Sequence, residues 1–312
     1  MNSAATKKIK VVSKARRKRR EWFIGFAFAL PVILGVLIFT FYPAVQSFFY
    51  SFTDYDFFNG DDLNFVGFDN YVYMFTVDPE IGKVFGNTLL YAVLSVPFGL
   101  IIGYLLALVA NFKVKGVSIY RTLFYLPVII PSVASGLLFL DILGGDSFGI
   151  INHLLGLIGI KHNLSFFSSE YTALASLIFM GSWSAGGSMI IWLSAFKNIS
   201  PELYEAAKID GASSFKRLIK ITIPMSTPMI FYNLVTGMIG ALQITSTLII
   251  GGTEGRGVED SLYFVSIKIY NEAFGGGFNM AYASAISWVL FAIIGFFTLL
   301  TFKSSKWVFY GE

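Results

Sequence analysis

Six long stretches of this chain contain no Asp, Glu, Lys or Arg: residues 22–42, 84–112, 122–140, 171–196, 221–253 and 273–302. They run from 19 to 33 residues and together make up about half of the 312-residue sequence. A membrane-spanning helix needs roughly 20 mostly apolar residues. One Asp, Lys or Arg at the bilayer centre costs about 2.5–3.5 kcal/mol on insertion scales. A soluble core supplies one or two such runs; six predict an all-α membrane protein with six transmembrane helices. Composition agrees, with 13% charged residues against about 25% in soluble domains.

Two runs need trimming. Pro224 and Pro228 lie in the fifth, so its helix is expected to begin near Ser226; Gly275, Gly276 and Gly277 open the sixth, so its helix is expected from Asn279. Pro97, Pro127 and Pro131 fall inside other runs and read as packing kinks that neighbouring helices tolerate. Residues 148–160 are too short to span and read as an interfacial helix.

Basic residues set the orientation. Nine Lys and Arg precede residue 21, and 19 of the chain's 23 fall on the side of that N-terminal segment. Lys83, Lys161, Arg256 and Lys268 fall on the other. The positive-inside rule then predicts both termini in the cytoplasm. The expected organisation is a basic cytoplasmic segment over residues 1–21 and a membrane domain over 22–312. Beside an apolar run, the basic segment reads as an orientation signal in contact with lipid headgroups, and not as a nucleic-acid site. The first run exceeds a signal-peptide core and lacks an A-x-A-like exit, so it is expected to stay as an anchor.

Several chemistries find no footing. With no cysteine and only His153 and His162, neither catalytic residues nor a metal site are expected. The acidic loop over residues 43–83 matches no EF-hand spacing; it reads as a solvated face on an aromatic-rich segment that folds against the membrane domain. No Walker A sequence occurs. The GGTEGRG stretch at 251–257 reads as a flexible connection. No charge falls within the spans, which argues against a carrier driven by intramembrane carboxylates.

The loop between spans four and five carries the specific signal. Ser200 suits an N-cap, Pro201 the first helical position and Glu202 the positive helix end. Gly211 suits the residue after the helix, where φ > 0 is needed. Ser213 or Ser214 opens a second short helix that Pro224 is expected to end. Glu205-Ala206-Ala207, then Gly211, Ile221, Ile223 and Pro224 resemble the EAA loop of ABC-importer permease subunits. Ile223 stands where that pattern has Leu. The likeness extends over residues 22–310 through Val66-Gly67-Phe68-Asp69-Asn70-Tyr71, Asn87-Thr88, Arg121 with Leu126-Pro127, and Tyr282-Ala283-Ser284-Ala285. It is closest in kind to the MalF-like, carbohydrate-type branch. Ile244 and Thr245 depart from the Phe-Asp often found after the fifth-span Gln.

The resemblance implies that this loop is a coupling helix docking into a cytoplasmic ATPase. Glu205, Ala206, Ala207, Asp210, Gly211 and Pro224 would carry the contact. It implies two ATPase subunits holding ATP and magnesium, no cofactor on this chain, a second and different permease, and an extracytoplasmic solute-binding protein. It places the chain in a bacterial or archaeal cell membrane. The substrate it implies is a neutral sugar or oligosaccharide, with a polyol, glycerol phosphate or secondary carriage as alternatives. Polar residues within the spans are the candidate pathway: Asn87, Ser182, Trp183, Ser188, Asn233, Gln243, Thr245, Ser246 and Thr247.

Overall fold

The computed structural model describes residues 14–56, 58, 63–112, 114–145, 149–159 and 166–309, without the side chains of residues 14–17 and 253. Among these it has five helices long and apolar enough to cross a membrane, plus one bent pair that passes the same test. The chain divides into two units, Met1–Tyr50 and Ser51–Glu312.

The first unit is one long rod: α1 (Lys14–Val36), a π-helical turn (Leu37–Phe41) and α2 (Tyr42–Tyr50). Trp22, Phe28, Phe39 and Tyr42 all point outwards. Such a helix is stable where hydrocarbon replaces water as its solvent. The π turn has a local cause. Proline at position i lacks an N–H and clashes with the carbonyl four residues back. Widening the preceding turn relieves this, and here Tyr42 N–H donates to Leu37 O just ahead of Pro43.

The second unit comprises the remaining helices. α3 (Asp69–Thr76) lies across the start of α16. α4 (Ile81–Ala110) is the central pillar, packed against α8 (Glu170–Ser182), α9 (Gly186–Lys197) and α13 (Thr227–Leu242). α5 (Val117–Ile129) and α6 (Ser132–Ile142) form the bent pair, followed by α7 (Ile150–Leu157). α10 (Pro201–Ile209), α11 (Ser214–Arg217) and α12 (Ile223–Met225) fill the connection before α13. α14 (Thr247–Ile250), α15 (Val265–Phe274) and α16 (Met280–Lys303) complete the unit.

Lipid offers no hydrophobic drive for helix association, so close packing of small residues must supply it. Gly103 of α4 faces Ser188 and Trp192 of α9, and a Cβ there would collide with the Ser188 hydroxyl. Gly186 sits so close to α5 that a Cβ would run into the Phe124 carbonyl. Backbone cannot yield as a side chain can. Gly186→Val is therefore expected to part α5 from α9 and lower the melting temperature of the purified protein, whereas Gly82→Val, at a site with open space around it, should leave it unchanged.

Three spans depart from the expected continuous helices. The third run is two helices bent by 101°. Pro131 forces the preceding residue out of the helical region, and Ile130 is accordingly extended, with φ −72° and ψ 127°. So Pro131 breaks the run, whereas Pro127, four residues earlier, stays within α5. In the fourth span a 3₁₀ turn (Trp183–Ala185) joins α8 to α9. In the fifth, residues 243–246 are unwound between α13 and α14.

Pro224 does not end the helix before it, as the sequence suggested. A second π turn (Leu218–Thr222) precedes it, with Ile223 N–H donating to Leu218 O, and helical backbone continues to Met225. This repeats the arrangement ahead of Pro43. The chain turns at Ser226, whose Oγ donates to Ile223 O at 3.0 Å.

The 251–257 stretch is tightly folded and no flexible connection. Gly257 N–H donates to Gly251 O at 2.8 Å. Gly252, Gly255 and Gly257 all have positive φ, and a Cβ at Gly251 would lie 2.6 Å from the Gly255 backbone. The described residues between 51 and 80 fold onto α16 as expected for an aromatic-rich loop. Tyr73 meets Tyr282 edge-on at 5.2 Å, and Ala281 N–H donates to Tyr55 O at 3.0 Å. Asn70 Nδ2 donates to the carbonyls of Ser51 and Thr53. In α7, Asn152 is buried and donates to Gly144 O at 2.8 Å, while Leu154 and Leu157 are exposed. His162 lies outside the described residues.

Candidate functional site

A cavity of about 380 Å³ opens between α4, the α8–α9 junction and α13, within the size range of small-molecule sites. On α13 its lining is Asn233, Thr236, Gly237 and Gly240, spaced i, i+3, i+4, i+7 along one helix face. On α4 it is Tyr91, Ser95, Phe98 and Gly99; α8 and α9 add Ser182 and Ser188, with Ser184 between them. Among the described residues, no charged side chain lines it.

The polar groups are held by their own helices. Asn233 Nδ2 donates to Met229 O at 2.8 Å, Ser182 Oγ to Phe179 O at 2.6 Å, Ser188 Oγ to Ala185 O at 2.8 Å and Thr236 Oγ1 to Tyr232 O at 2.9 Å. With the hydroxyl donors and one Asn233 N–H committed, the oxygens remain as acceptors and one amide N–H as a donor, which suits a solute rich in hydroxyl groups.

Of the sequence-chosen pathway residues, the cavity gathers Ser182, Ser188 and Asn233. Asn87 is elsewhere, tying α4 to the 256–263 turn by donating to Asp260 O at 2.8 Å and Tyr263 O at 3.2 Å. Trp183 packs edge-on against Phe139 at 5.8 Å. Gln243 and Thr245 are exposed on the unwound segment and Ser246 is half-buried. Thr247 is fully buried, and its hydroxyl has no partner among the described residues. Tyr91, Ser95, Ser184 and Thr236 escaped selection. The repeat of small and polar residues from Asn233 to Gly240 was the signal that could have found Thr236.

At one end of α4, α10 and α11 form the helix–turn–helix. The Ser200 hydroxyl accepts from Glu202 N–H at 3.3 Å, with Pro201 first in α10. Gly211 has φ +74°. Ala212 N–H donates to Ala207 O at 2.8 Å and Gly211 N–H to Lys208 O at 3.0 Å, a Schellman closure that reverses the chain. The Ser213 hydroxyl caps α11 through Lys216 N–H. Tyr204 and Thr222 share a hydroxyl hydrogen bond of 2.9 Å that holds α10 to the following π turn. Glu205, Ala206, Asp210 and Gly211 are exposed, and Ala207 and Pro224 are half-buried. Leu203, Ile209, Phe215 and Ile219 are exposed too, Ile209 by 87%.

The opposite end of α4 carries a charge network, whose Asp78 and Glu80 belong to the acidic loop that the sequence suggested was a solvated face. Lys268 of α15 is 2% exposed and bridges Asp78 at 3.0 Å, Glu80 at 2.9 Å and Glu272 at 3.1 Å. Arg256 joins Glu80 at 2.6 Å to Asp260 at 2.7 Å. Tyr282 Oη donates to Asp78 Oδ2, and Lys83 donates to the Glu259 carbonyl. Burial pushes the Asp78 carboxyl up, but the Tyr282 hydroxyl and the Lys268 ammonium outweigh it and hold it below its usual range. Burial opposes Arg256 and Lys268 at Glu80 in the same way, with the same outcome. The Tyr263 phenol is pushed up to about 12, chiefly by burial. Among the described residues, no group of three or more His, Asp or Glu is placed to hold a metal ion.

The family model described as the binding-protein-dependent transport system inner membrane component matches residues 95–308, from the middle of α4 through the C-terminal 3₁₀ turn. The chain belongs to this family. A probable ABC transporter permease protein, YesP of Bacillus subtilis, is 40% identical over 302 residues, 96% of each chain. The lactose transport system permease protein LacF of Rhizobium radiobacter is 31% identical over 94% of this chain and 98% of its own. A crystal structure of a bacterial alginate ABC transporter, in complex with an alginate pentasaccharide-bound periplasmic protein, matches with TM-score 0.81 and 25% identity. It covers 95% of this chain and 98% of that one. The inner-membrane family match spans the cavity's α13 face and the whole α10–α11 hairpin, whereas Asp78 and Glu80 precede it.

Proposed function

We propose that this chain is one permease half of an ATP-driven importer for a neutral sugar or oligosaccharide. The observation that carries this reading is the α10–α11 hairpin, whose reversal is closed by its own backbone while its apolar residues and Glu205 stay exposed. A cytoplasmic ATPase holding ATP and magnesium is the partner that surface serves, with one ATPase for each of two permeases. Glu205 pairs with a basic ATPase residue, and Ala206 and Ala207 leave room for close approach. On this reading both termini are cytoplasmic and the Lys268 network lies outside, facing a solute-binding protein. ATP does work by favouring the outward-open state through differential binding.

The cavity supports the substrate class. Its described lining is hydroxyl, amide, aromatic and apolar, with no cation there to meet a phosphate. The lactose permease and the alginate transporter to which the chain is similar fit a carbohydrate path.

Uptake by cells in which this chain is the sole permease of its kind tests the reading. Labelled neutral oligosaccharides should accumulate, and glycerol phosphate should neither accumulate nor compete. Saturation by glycerol phosphate would overturn the neutral-sugar assignment. Gly240 lines the cavity, and a Cβ there meets no atom within 4 Å. Gly240→Trp should therefore fold, assemble and fail to transport. Asn233→Leu forfeits about one neutral hydrogen bond, about 0.5–1.5 kcal/mol, so the concentration for half-maximal uptake should rise about two- to tenfold.

A further inference from the structure

We infer that the groove between α5 and α9 is a binding site for an anionic phospholipid of the cytoplasmic leaflet. The groove holds about 460 Å³. One end is polar, with Arg121, Thr122, Ser194 and Lys197, and the rest is Tyr125, Met189, Ile190 and Leu193. Arg121 and Lys197 immediately bound two of the charge-free runs, so both stand where a span meets the headgroups. Ile190 lies about 10 Å further into the span than Lys197, at 1.5 Å per residue. Cations, then hydroxyls, then an apolar wall complement the phosphate, ester and acyl groups in their order along a phospholipid.

The two cations are not otherwise neutralised. Neither takes part in an ion pair among the described residues. Arg121 Nε donates to Ala110 O at 2.9 Å, which anchors the side chain while leaving other guanidinium donors for a phosphate. A zwitterionic headgroup would bring its own cation against these two. A soluble phosphate would leave the apolar length of the groove unfilled. Basic pockets between membrane helices on the cytoplasmic side are the general form of anionic-lipid sites. The proposal needs membrane insertion with α10 inside, and does not need the sugar-import reading, so the two can fail separately.

The probe is phosphatidylglycerol with a photoactivatable acyl chain, in phosphatidylcholine vesicles holding the intact transporter. Peptides from α5 and α9 should be labelled, and unlabelled phosphatidylglycerol should compete where phosphatidylcholine and inorganic phosphate do not. Lys197→Gln should cut labelling about fivefold, given about 1 kcal/mol per basic residue near the surface. Because Arg121 also holds the end of α4, the second variant leaves it alone. Ser194→Trp fills the groove from an exposed position and should abolish labelling of these peptides with both cations present. Labelling that survives both variants would overturn the site. So would equal competition by phosphatidylcholine, competition by inorganic phosphate, or an unlabelled wild type because a second permease covers the groove.

Discussion

Glu205→Lys is expected to abolish ATP-dependent uptake while leaving the chain folded in the membrane. Glu205 is exposed on α10, and no ion pair or side-chain hydrogen bond within the chain uses it among the described residues. Exposed substitutions of this kind change stability by only about ±0.5 kcal/mol. At the proposed contact the same change sets a cation against a cation, which costs several kcal/mol. At 1.4 kcal/mol per decade, the loss is at least about a hundredfold. Glu205→Gln removes the attraction without adding repulsion and should fall between. Transport assays paired with thermal melting separate the outcomes. Normal uptake by the Lys variant would sink the coupling assignment, and a lowered melting temperature would make Glu205 a structural residue.

Lys268→Met is expected to act through stability. The ammonium lies among three carboxylates and is 2% exposed. Removing one partner of a buried ion pair costs about 3–5 kcal/mol, because the charges left behind have lost their compensation. The damage should centre on the junction of α3 and α4, the 256–263 turn and α15. Uptake should fall with the amount of folded protein.

The network also fixes a pH window. The folded carboxyls of Asp78 and Glu80 are held below their ordinary values of 3.8 and 4.5. Their contribution is complete above the ordinary carboxylate range and is lost as pH falls through the folded values. Lys268 is held above its ordinary 10.5, since its carboxylate partners outweigh burial. Its contribution is complete below that value and is lost only as pH rises through the higher folded one. Melting temperature should therefore be flat from about pH 5 to pH 10 and fall on both sides. In Lys268→Met the acid fall should weaken, because Asp78 and Glu80 are no longer held down by the ammonium.

Where a residue's role rests on local chemistry, the sequence was legible. Charge-free runs located the spans, and Ser200, Pro201, Gly211 and Ser213 marked the hairpin because caps and positive φ are local demands. Asn279 likewise marked the start of α16, where its side chain accepts from Tyr282 N–H at 2.9 Å. Features that depend on distant partners were not legible. Asp78 and Glu80 lie outside the spans and looked solvated, since nothing near them in sequence announces a contact with Lys268, 190 and 188 residues away. Proline carried an ambiguous signal: Pro127 stays in its helix, Pro131 breaks one, and Pro43 and Pro224 are absorbed by π turns. The cavity was half-visible. Choosing polar residues by type gathered Asn87 and Trp183, which do not line the cavity. Choosing by helix face would have joined Thr236 to Asn233.

The most direct test of the central claim is mass spectrometry of what co-purifies with this chain from gently solubilised native membranes. An importer half predicts an ATPase bearing a Walker A sequence and a second permease, both recovered with the wild-type chain and the ATPase lost on Glu205→Lys. Recovery of the chain alone across several mild detergents, or an ATPase retained equally by the Lys variant, would contradict it.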